Sequence, residues 1–198
     1  MDIDFFKKVR ILDGGMGQEL LARGMKPQGT LWSATAILYE KYHKLLYDTH
    51  VDYIKAGAEV IVTTTFASRK TRLRENKVED KFEYLNKKAG EIAKKTKDTY
   101  PDVLIAGGLP PQGSTYKEDN RSNDEISEDF YKHAELLNPY SDFFYLDVIS
   151  SVRELELAIR SIEEFKKPYL VGAHISQGKT MPSGEKISDI IKNKKKDD

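Results

Sequence analysis

The feature that most constrains the fold is a repeated alternation of short apolar runs with longer amphipathic stretches. The short runs are rich in β-branched and aromatic residues, whereas the stretches between them repeat apolar residues at three- and four-residue spacing. This alternation predicts a parallel sheet, because parallel strands need a long crossover that is usually a helix. The predicted strands are Val9–Asp13, Glu59–Phe66, Val103–Gly107, Asp142–Val148 and Pro168–His174.

The pattern favours a (β/α)8 barrel of the TIM type over a doubly wound sheet. No G-x-G-x-x-G motif opens a helix, and functional-looking side chains follow every strand rather than one switch point. The expected fold is therefore an incomplete barrel of about five parallel strands, forming one α/β domain over residues 1–198. The predicted helices are Tyr39–Ala56, Ser68–Asn76, Lys81–Lys97, Ser127–Leu137, Val152–Phe165 and one from about Glu185 with Ile187, Ile190 and Ile191 as its apolar stripe.

Composition excludes several classes of function. Lys plus Arg and Asp plus Glu both number 32, so no net positive charge attracts nucleic acid or an anionic membrane. The apolar runs are too short to span a bilayer and the first residues lack a signal-peptide pattern, so a cytoplasmic location is expected. The absence of cysteine excludes disulfides, thiol nucleophiles and thiolate metal sites within this polypeptide.

Two aspartates at strand ends are the first candidate site. Asp13 precedes a Gly14–Gly15 turn, and Asp147 ends the fourth predicted strand. If both strands face the same barrel mouth, the carboxylates converge and suit an amino group. The alternative is that Asp13 caps the glycine turn and Asp147 caps the next helix.

Other polar residues at strand ends have competing interpretations. Thr63, Thr64 and Thr65 offer hydroxyls to a ligand, but two of the three are better explained by β-propensity. His174 ends the fifth predicted strand, where an imidazole serves as acid, base or ligand, although a packed histidine explains it equally simply. The four histidines show no recognisable metal-ligand spacing.

Read in order, several segments resemble the homocysteine S-methyltransferase family. No single segment is specific, but their order and spacing are, and the resemblance covers essentially the whole chain. The matching segments are Ile11-Leu-Asp-Gly-Gly-Met-Gly-Gln-Glu-Leu20, Leu31-Trp-Ser33, His50-Val-Asp-Tyr-Ile-Lys-Ala-Gly-Ala-Glu-Val-Ile-Val-Thr-Thr-Thr-Phe66, Ile105-Ala-Gly-Gly-Leu-Pro-Pro-Gln-Gly113 and Ser183-Gly-Glu185.

The resemblance implies a TIM barrel that transfers a methyl group from a small donor to the homocysteine thiol, giving methionine. It implies that Asp13 holds the substrate's amino group and that Gly14 approaches its amino-acid end. The family usually has Glu where this chain has Asp147, which is a methylene shorter. The family also implies zinc held by three cysteines, in a Gly-x-Asn-Cys-like and a Gly-Gly-Cys-Cys-like motif after later strands.

This chain has neither cysteine motif and resembles the N-terminal five-eighths of such an enzyme. We therefore expect homocysteine and a methyl donor as ligands, with substrate-binding residues Asp13, Gly14, Thr65, Asp147 and His174, but no activity of the chain alone. Open edges near Val9–Asp13 and Pro168–His174 predict self-association or a complementing chain. The alternatives are a non-catalytic remnant that serves as an amino-acid-binding or interaction module, and a zinc-independent barrel enzyme using His174 and the two aspartates.

Overall fold

A sheet of four parallel strands forms the centre of the molecule in a computed structural model, which describes residues 3–176, 178–186 and 188. The strands lie side by side in chain order, each paired with the next, as sequential strand–helix units predict. They are β1 (Val60–Val62), β2 (Leu104–Leu109), β3 (Phe143–Ile149) and β4 (Tyr169–Ala173).

Helices connect the strands and cover one face of the sheet. Helix α6 begins four residues before the predicted start, because Ser122 caps it with a full capping box to Glu125. Ser151 caps α7 as expected, accepting a hydrogen bond from the Glu154 amide. The α-helices are α1 (Met16–Ala22), α2 (Thr35–Leu38), α3 (His43–Lys55), α4 (Lys70–Glu75), α5 (Phe82–Thr99), α6 (Asn123–Leu137) and α7 (Val152–Ile162).

The first predicted strand, Val9–Asp13, forms only one bridge, between Leu12 and Val60. It runs parallel to β1, and the amide of Asp13 donates to the carbonyl of Val60 at 2.9 Å. Val9 and Ile11 remain 94% and 57% exposed, because no strand covers the outer side of this segment within the described residues. The segment therefore occupies a fifth position in the arc without becoming a regular strand.

The two faces of the sheet bury different residues, as the two-residue period of a strand requires. The outer face packs on the helices: Phe144 and Leu146, for example, join the core beneath α6 and α7. The inner face carries Ala106, Phe143 and Tyr145 toward the barrel interior. A short 3-10 helix, Ile3–Lys7, closes the amino-terminal end of this interior, where the rings of Phe6 and Phe143 meet edge to face.

Two further sequence expectations concern helices. The sixth helix, expected from about Glu185, lies outside the described residues apart from its first positions, where Lys186 makes a β-bridge with Thr180 instead. Within the described part, none of the helices is long and apolar enough to cross a bilayer.

Candidate functional site

A cavity of about 460 Å³ lies at the carboxyl-terminal end of the strands, on the barrel-interior side. Asp13, Gly14 and Asp147 all line it, so the two predicted carboxylates do converge. In parallel α/β folds this end of the sheet is where ligands bind. No Lys or Arg is among the residues that line the cavity, which makes it an acidic site.

Asp13 is held in place from two sides. Its side chain is only 4% exposed, and its Oδ2 atom accepts a hydrogen bond from the Val62 amide at 3.0 Å. The Nδ1 atom of buried His50 lies 3.7 Å from the same oxygen, while His50 Nε2 contacts the Thr64 hydroxyl at 3.4 Å. The hydrogen bond from Val62 fixes this carboxylate oxygen. His50 is a buried residue packed beside Asp13, and its Nδ1 atom has no hydrogen-bond partner among the described residues.

Asp147 reaches the cavity because β3 is irregular at this point. The register with β4 shifts between Leu146 and Ile149, and Val148 has a φ of 58°. A positive φ is strained for a β-branched residue, and such strain is often found at functional sites. Burial raises the pKa of Asp147, the nearby Asp13 raises it further, and a hydrogen bond from Tyr145 partly counteracts both.

Tyr145 stands beside both carboxylates and belongs to the site. It precedes Asp147 by two positions on β3 and lines the same cavity. Burial raises the pKa of its hydroxyl to about 12, with a further contribution from Asp147. The hydroxyl therefore stays protonated and acts as a hydrogen-bond donor toward Asp147. Gly172 on β4 leaves room for the ring, since a Cβ there would lie 2.7 Å from the Tyr145 oxygen.

Helix α1 and an indole form the opposite wall of the cavity. Trp32 lies so close to Gly17 that a Cβ on this glycine would come within 1.6 Å of the indole Nε1 atom. Trp32 itself has a positive φ of 48° and is 41% exposed. Of the non-glycine residues with positive φ in the described chain, Trp32, Tyr116 and Val148 all line cavities at this end of the sheet.

The three consecutive threonines have internal partners. Thr65 is fully buried, donates a hydrogen bond to the Gly108 carbonyl at 2.7 Å and does not line the acidic cavity. Thr63 accepts a hydrogen bond from the Gly108 amide at 2.9 Å, and both Thr63 and Thr64 line the cavity. The structure thus gives Thr65 a role in joining β1 to β2, and its contact with a ligand stays a prediction.

His174 lies just beyond the acidic cavity. It lines an adjacent cavity of about 430 Å³ together with Asp147 and Tyr145. Its ring lies 4.6 Å from that of Tyr116, centroid to centroid, which is a packing contact. His174 and Asp147 therefore share this adjacent cavity, whereas Asp13 lines only the acidic one.

The residues present do not fit a metal centre of the thiolate type. The sequence contains no cysteine, and among the described residues no group of three His, Cys, Asp or Glu side chains has an arrangement that holds a metal ion.

Tyr145 and Val148 were not identified as site residues from the sequence. The period of two along β3 was a usable signal for Tyr145, because it places this residue on the same face as Asp147. No sequence signal indicates the bulge at Val148, which depends on how β3 meets β4.

Comparisons with known proteins agree with the geometry. The model of the family described as Homocysteine S-methyltransferase matches residues 10–197. Homocysteine S-methyltransferase 2 of Saccharomyces cerevisiae is 26% identical, over 94% of this chain and 64% of its own length. Homocysteine S-methyltransferase of Escherichia coli is also 26% identical, over 75% of this chain and 52% of its own length. The chain thus covers less than two thirds of the length of these relatives.

Solved structures show the same fold. The metallated form of the homocysteine methyltransferase MmuM from Escherichia coli superposes with a TM-score of 0.83 at 22% identity, covering 95% of this chain and 71% of that one. Its apo form gives a TM-score of 0.73 at 20% identity, covering 96% and 68%. The expected α/β fold of incomplete-barrel type is confirmed.

Proposed function

Since the chain belongs to the homocysteine S-methyltransferase family, we propose that its acidic cavity binds the amino-acid end of homocysteine. The observation that carries this proposal is the convergence of Asp13 and Asp147 on one cavity without a cationic lining residue. An ammonium group placed between two carboxylates forms charge-assisted hydrogen bonds with both. It also relieves the unfavourable burial of the Asp147 charge.

The backbone at Gly14 and Gly15 supports the carboxylate end of the same ligand. These residues lead from the Leu12 bridge into α1, whose first amides have no partner within the helix. Gly14 is placed against Tyr53, whose ring would lie 2.8 Å from a Cβ at this position. A side chain at position 14 would therefore meet Tyr53, and we propose that the backbone amides of this turn bind the ligand carboxylate.

We further propose that this chain alone binds homocysteine without methylating it. The relatives are named as methyltransferases, and one solved neighbour is a metallated form. The zinc expected from the family resemblance requires thiolate ligands, and this sequence has none.

Isothermal titration calorimetry with L-homocysteine tests the binding proposal. We expect saturable binding to the wild type and binding about 10- to 100-fold weaker in Asp13→Asn, because a charge-assisted hydrogen bond is lost. Asp98→Asn is the matched control, since Asp98 is exposed and pairs only with Lys94 across a turn of α5. Equal affinity in the wild type and Asp13→Asn would refute the proposed role of the acidic cavity.

A turnover assay separates binding from catalysis. Purified chain, homocysteine and S-methylmethionine or betaine, with and without added zinc, should yield no methionine above the uncatalysed rate. Methionine formation that persists in the presence of a chelator would contradict the proposal and favour a zinc-independent enzyme. Homocysteine binding without turnover agrees with the non-catalytic binding module, the second function that the missing thiolates favour.

A further inference from the structure

A second cavity, of about 930 Å³, adjoins the acidic one and has the opposite charge. The two cavities share Trp32 and Phe66 as part of their walls. The charged residues that line the larger cavity are Arg69, Arg72 and Lys117, and no Asp or Glu is among its lining residues. We call it the basic cavity.

Arg69 is the unusual member of this set. It is 1% exposed, yet it forms no ion pair with any carboxylate of the described residues. Its two terminal nitrogens donate to the Phe66 carbonyl at 3.0 Å and to the Thr115 hydroxyl at 2.9 Å, whereas Nε has no partner. Phe66 and Thr115 therefore orient the guanidinium group without neutralising it.

An uncompensated buried cation is costly, and most buried charges are paired for this reason. Burial, together with the positive charge of Arg72, lowers the pKa of Arg69 to about 10. Even so, Arg69 remains protonated at neutral pH. The protein thus maintains a fixed positive charge at the wall of a cavity large enough for a small molecule.

Two carboxylates, Glu75 and Glu154, act on Arg69 electrostatically, but neither forms an ion pair with it among the described residues and neither lines the basic cavity. Glu75 pairs with Arg72 at 3.2 Å. Glu154 is engaged elsewhere. Its Oε2 atom accepts a hydrogen bond from the Ser150 amide at 3.0 Å. Burial raises the pKa of Glu154 to about 7, so the side chain is only partly ionised at neutral pH.

We propose that the basic cavity binds a second small-molecule ligand through an oxyanion, a carboxylate or a phosphate, with Arg69 as its principal contact. The planar guanidinium group presents donors in a fixed fork that matches either oxyanion. Lys117 adds positive charge at the rim, and Arg72 contributes although it also pairs with Glu75 at 3.2 Å. We propose that this ligand is distinct from the one in the acidic cavity, because the carboxylate of homocysteine is already assigned to the Gly14–Gly15 turn.

Ligand-observed NMR tests this proposal without knowledge of the natural ligand. Propionate is followed by saturation-transfer difference and inorganic phosphate by the width of its ³¹P line, each titrated at low ionic strength. We expect saturable binding of at least one of the two to the wild type, and the tighter one identifies the chemical class. Arg69→Met should weaken it by about 10- to 100-fold, and Arg69→Lys, which keeps the charge but loses the fork, by less.

Two controls distinguish the site from general surface charge. Arg74→Met removes an arginine from α4, the helix that Arg69 immediately precedes, but Arg74 is exposed and pairs with Glu79, so anion binding should be unchanged. If Arg69→Met does not fold, the double variant Arg72→Gln/Lys117→Gln leaves Arg69 intact and should weaken binding by about 3- to 10-fold. The thermal melt of each variant reports whether it is folded.

The outcomes separate this proposal from the one for the acidic cavity. Asp13→Asn should lose homocysteine binding and retain anion binding, whereas Arg69→Met should do the reverse. Absence of saturable binding of either anion to the wild type would overturn the proposal, as would equal binding to Arg69→Met or to the double variant. Loss of homocysteine binding in folded Arg69→Met would also overturn it, because the two cavities would then form one site.

Discussion

At the scale of single residues, the charged side chain of Asp147 has two opposite effects: it lowers the stability of the fold, and it favours the proposed binding of homocysteine. Burial and the charge of Asp13 raise its pKa, so the folded protein holds a proton there more tightly than the unfolded chain does. The free energy of unfolding therefore falls as pH rises through the titration of this carboxyl group, and the full reduction is reached above the pKa of the group in the folded protein. It disappears when pH falls below the pKa of the unfolded chain.

We predict that Asp147→Asn stabilises the protein and weakens homocysteine binding. At pH 8 the free energy of unfolding should rise because the buried charge is gone, and the difference from the wild type should shrink toward pH 4. Affinity for homocysteine should fall about 10- to 100-fold. Urea unfolding at several pH values and calorimetry measure the two effects. If Asp147→Asn is less stable than the wild type at pH 8, the prediction is contradicted, because the carboxylate must then be stabilised by a partner in the folded protein.

Some site residues were predictable because strand ends of a parallel sheet meet at one edge. This rule predicts that Asp13 and Asp147 converge, and both line a single cavity together with Gly14. Arg69 was not predictable, because an arginine just before a charged helix normally faces solvent. Its burial depends on the loop after β2, whose Thr115 closes over it, and contacts of that kind have no local sequence signal.

At the scale of elements, the packing of Trp32 on α1 determines the shape of both cavities. A helix normally gains stability when glycine is replaced by alanine. At Gly17 the new Cβ would instead overlap the indole of Trp32. The backbone of Trp32 is already in the left-handed region, so it has little freedom to move away.

We predict that Gly17→Ala destabilises the protein by about 1 to 3 kcal/mol, the usual cost of overpacking. Homocysteine affinity should fall as well, because the displaced indole narrows the acidic cavity. Gly15→Ala is the matched control for stability alone, because Gly15 itself lines the acidic cavity: its nearest contact would be the flexible end of Gln18 at 3.4 Å, and its φ of −67° suits alanine. Urea unfolding and tryptophan fluorescence measure both variants. Equal stability of Gly17→Ala and Gly15→Ala would contradict the packing argument.

Elements with both a periodic pattern and a capping signal were predicted well. The start of α7 is an example, since Ser151 and Glu154 mark it in the sequence and Ser151 caps it in the structure. The first predicted strand was wrong as a regular strand, because an apolar run extends a sheet only where neighbours cover it. Val9 has no covering neighbour among the described residues. A local sequence pattern does not indicate whether a neighbouring strand will be present.

At the scale of the whole molecule, the sheet is an open arc. β4 pairs with β3 on one side, and on its other side the described residues provide no further strand. The opposite edge exposes Val9 and Ile11. Exposed sheet edges and apolar residues of this kind promote association between chains.

We predict that the mean mass of the protein in solution rises with concentration. Multi-angle light scattering across roughly 1 to 100 μM should show this, because association of weak interfaces falls in that range. Val9→Lys/Ile11→Lys should reduce the effect by adding charge at the edge. Tyr84→Lys, an exposed change on the outer helix α5, should not. A constant monomer mass at all concentrations would contradict this prediction.

The central claim is that the acidic cavity holds homocysteine by its amino-acid end. The most direct measurement is a crystal structure of the protein with L-homocysteine. We expect the ligand nitrogen within hydrogen-bond distance, about 2.7–3.2 Å, of the Asp13 carboxylate and beside Asp147, with the ligand carboxylate toward the Gly14–Gly15 turn. A ligand bound elsewhere, or bound with its carboxylate between the two aspartates, would contradict the account.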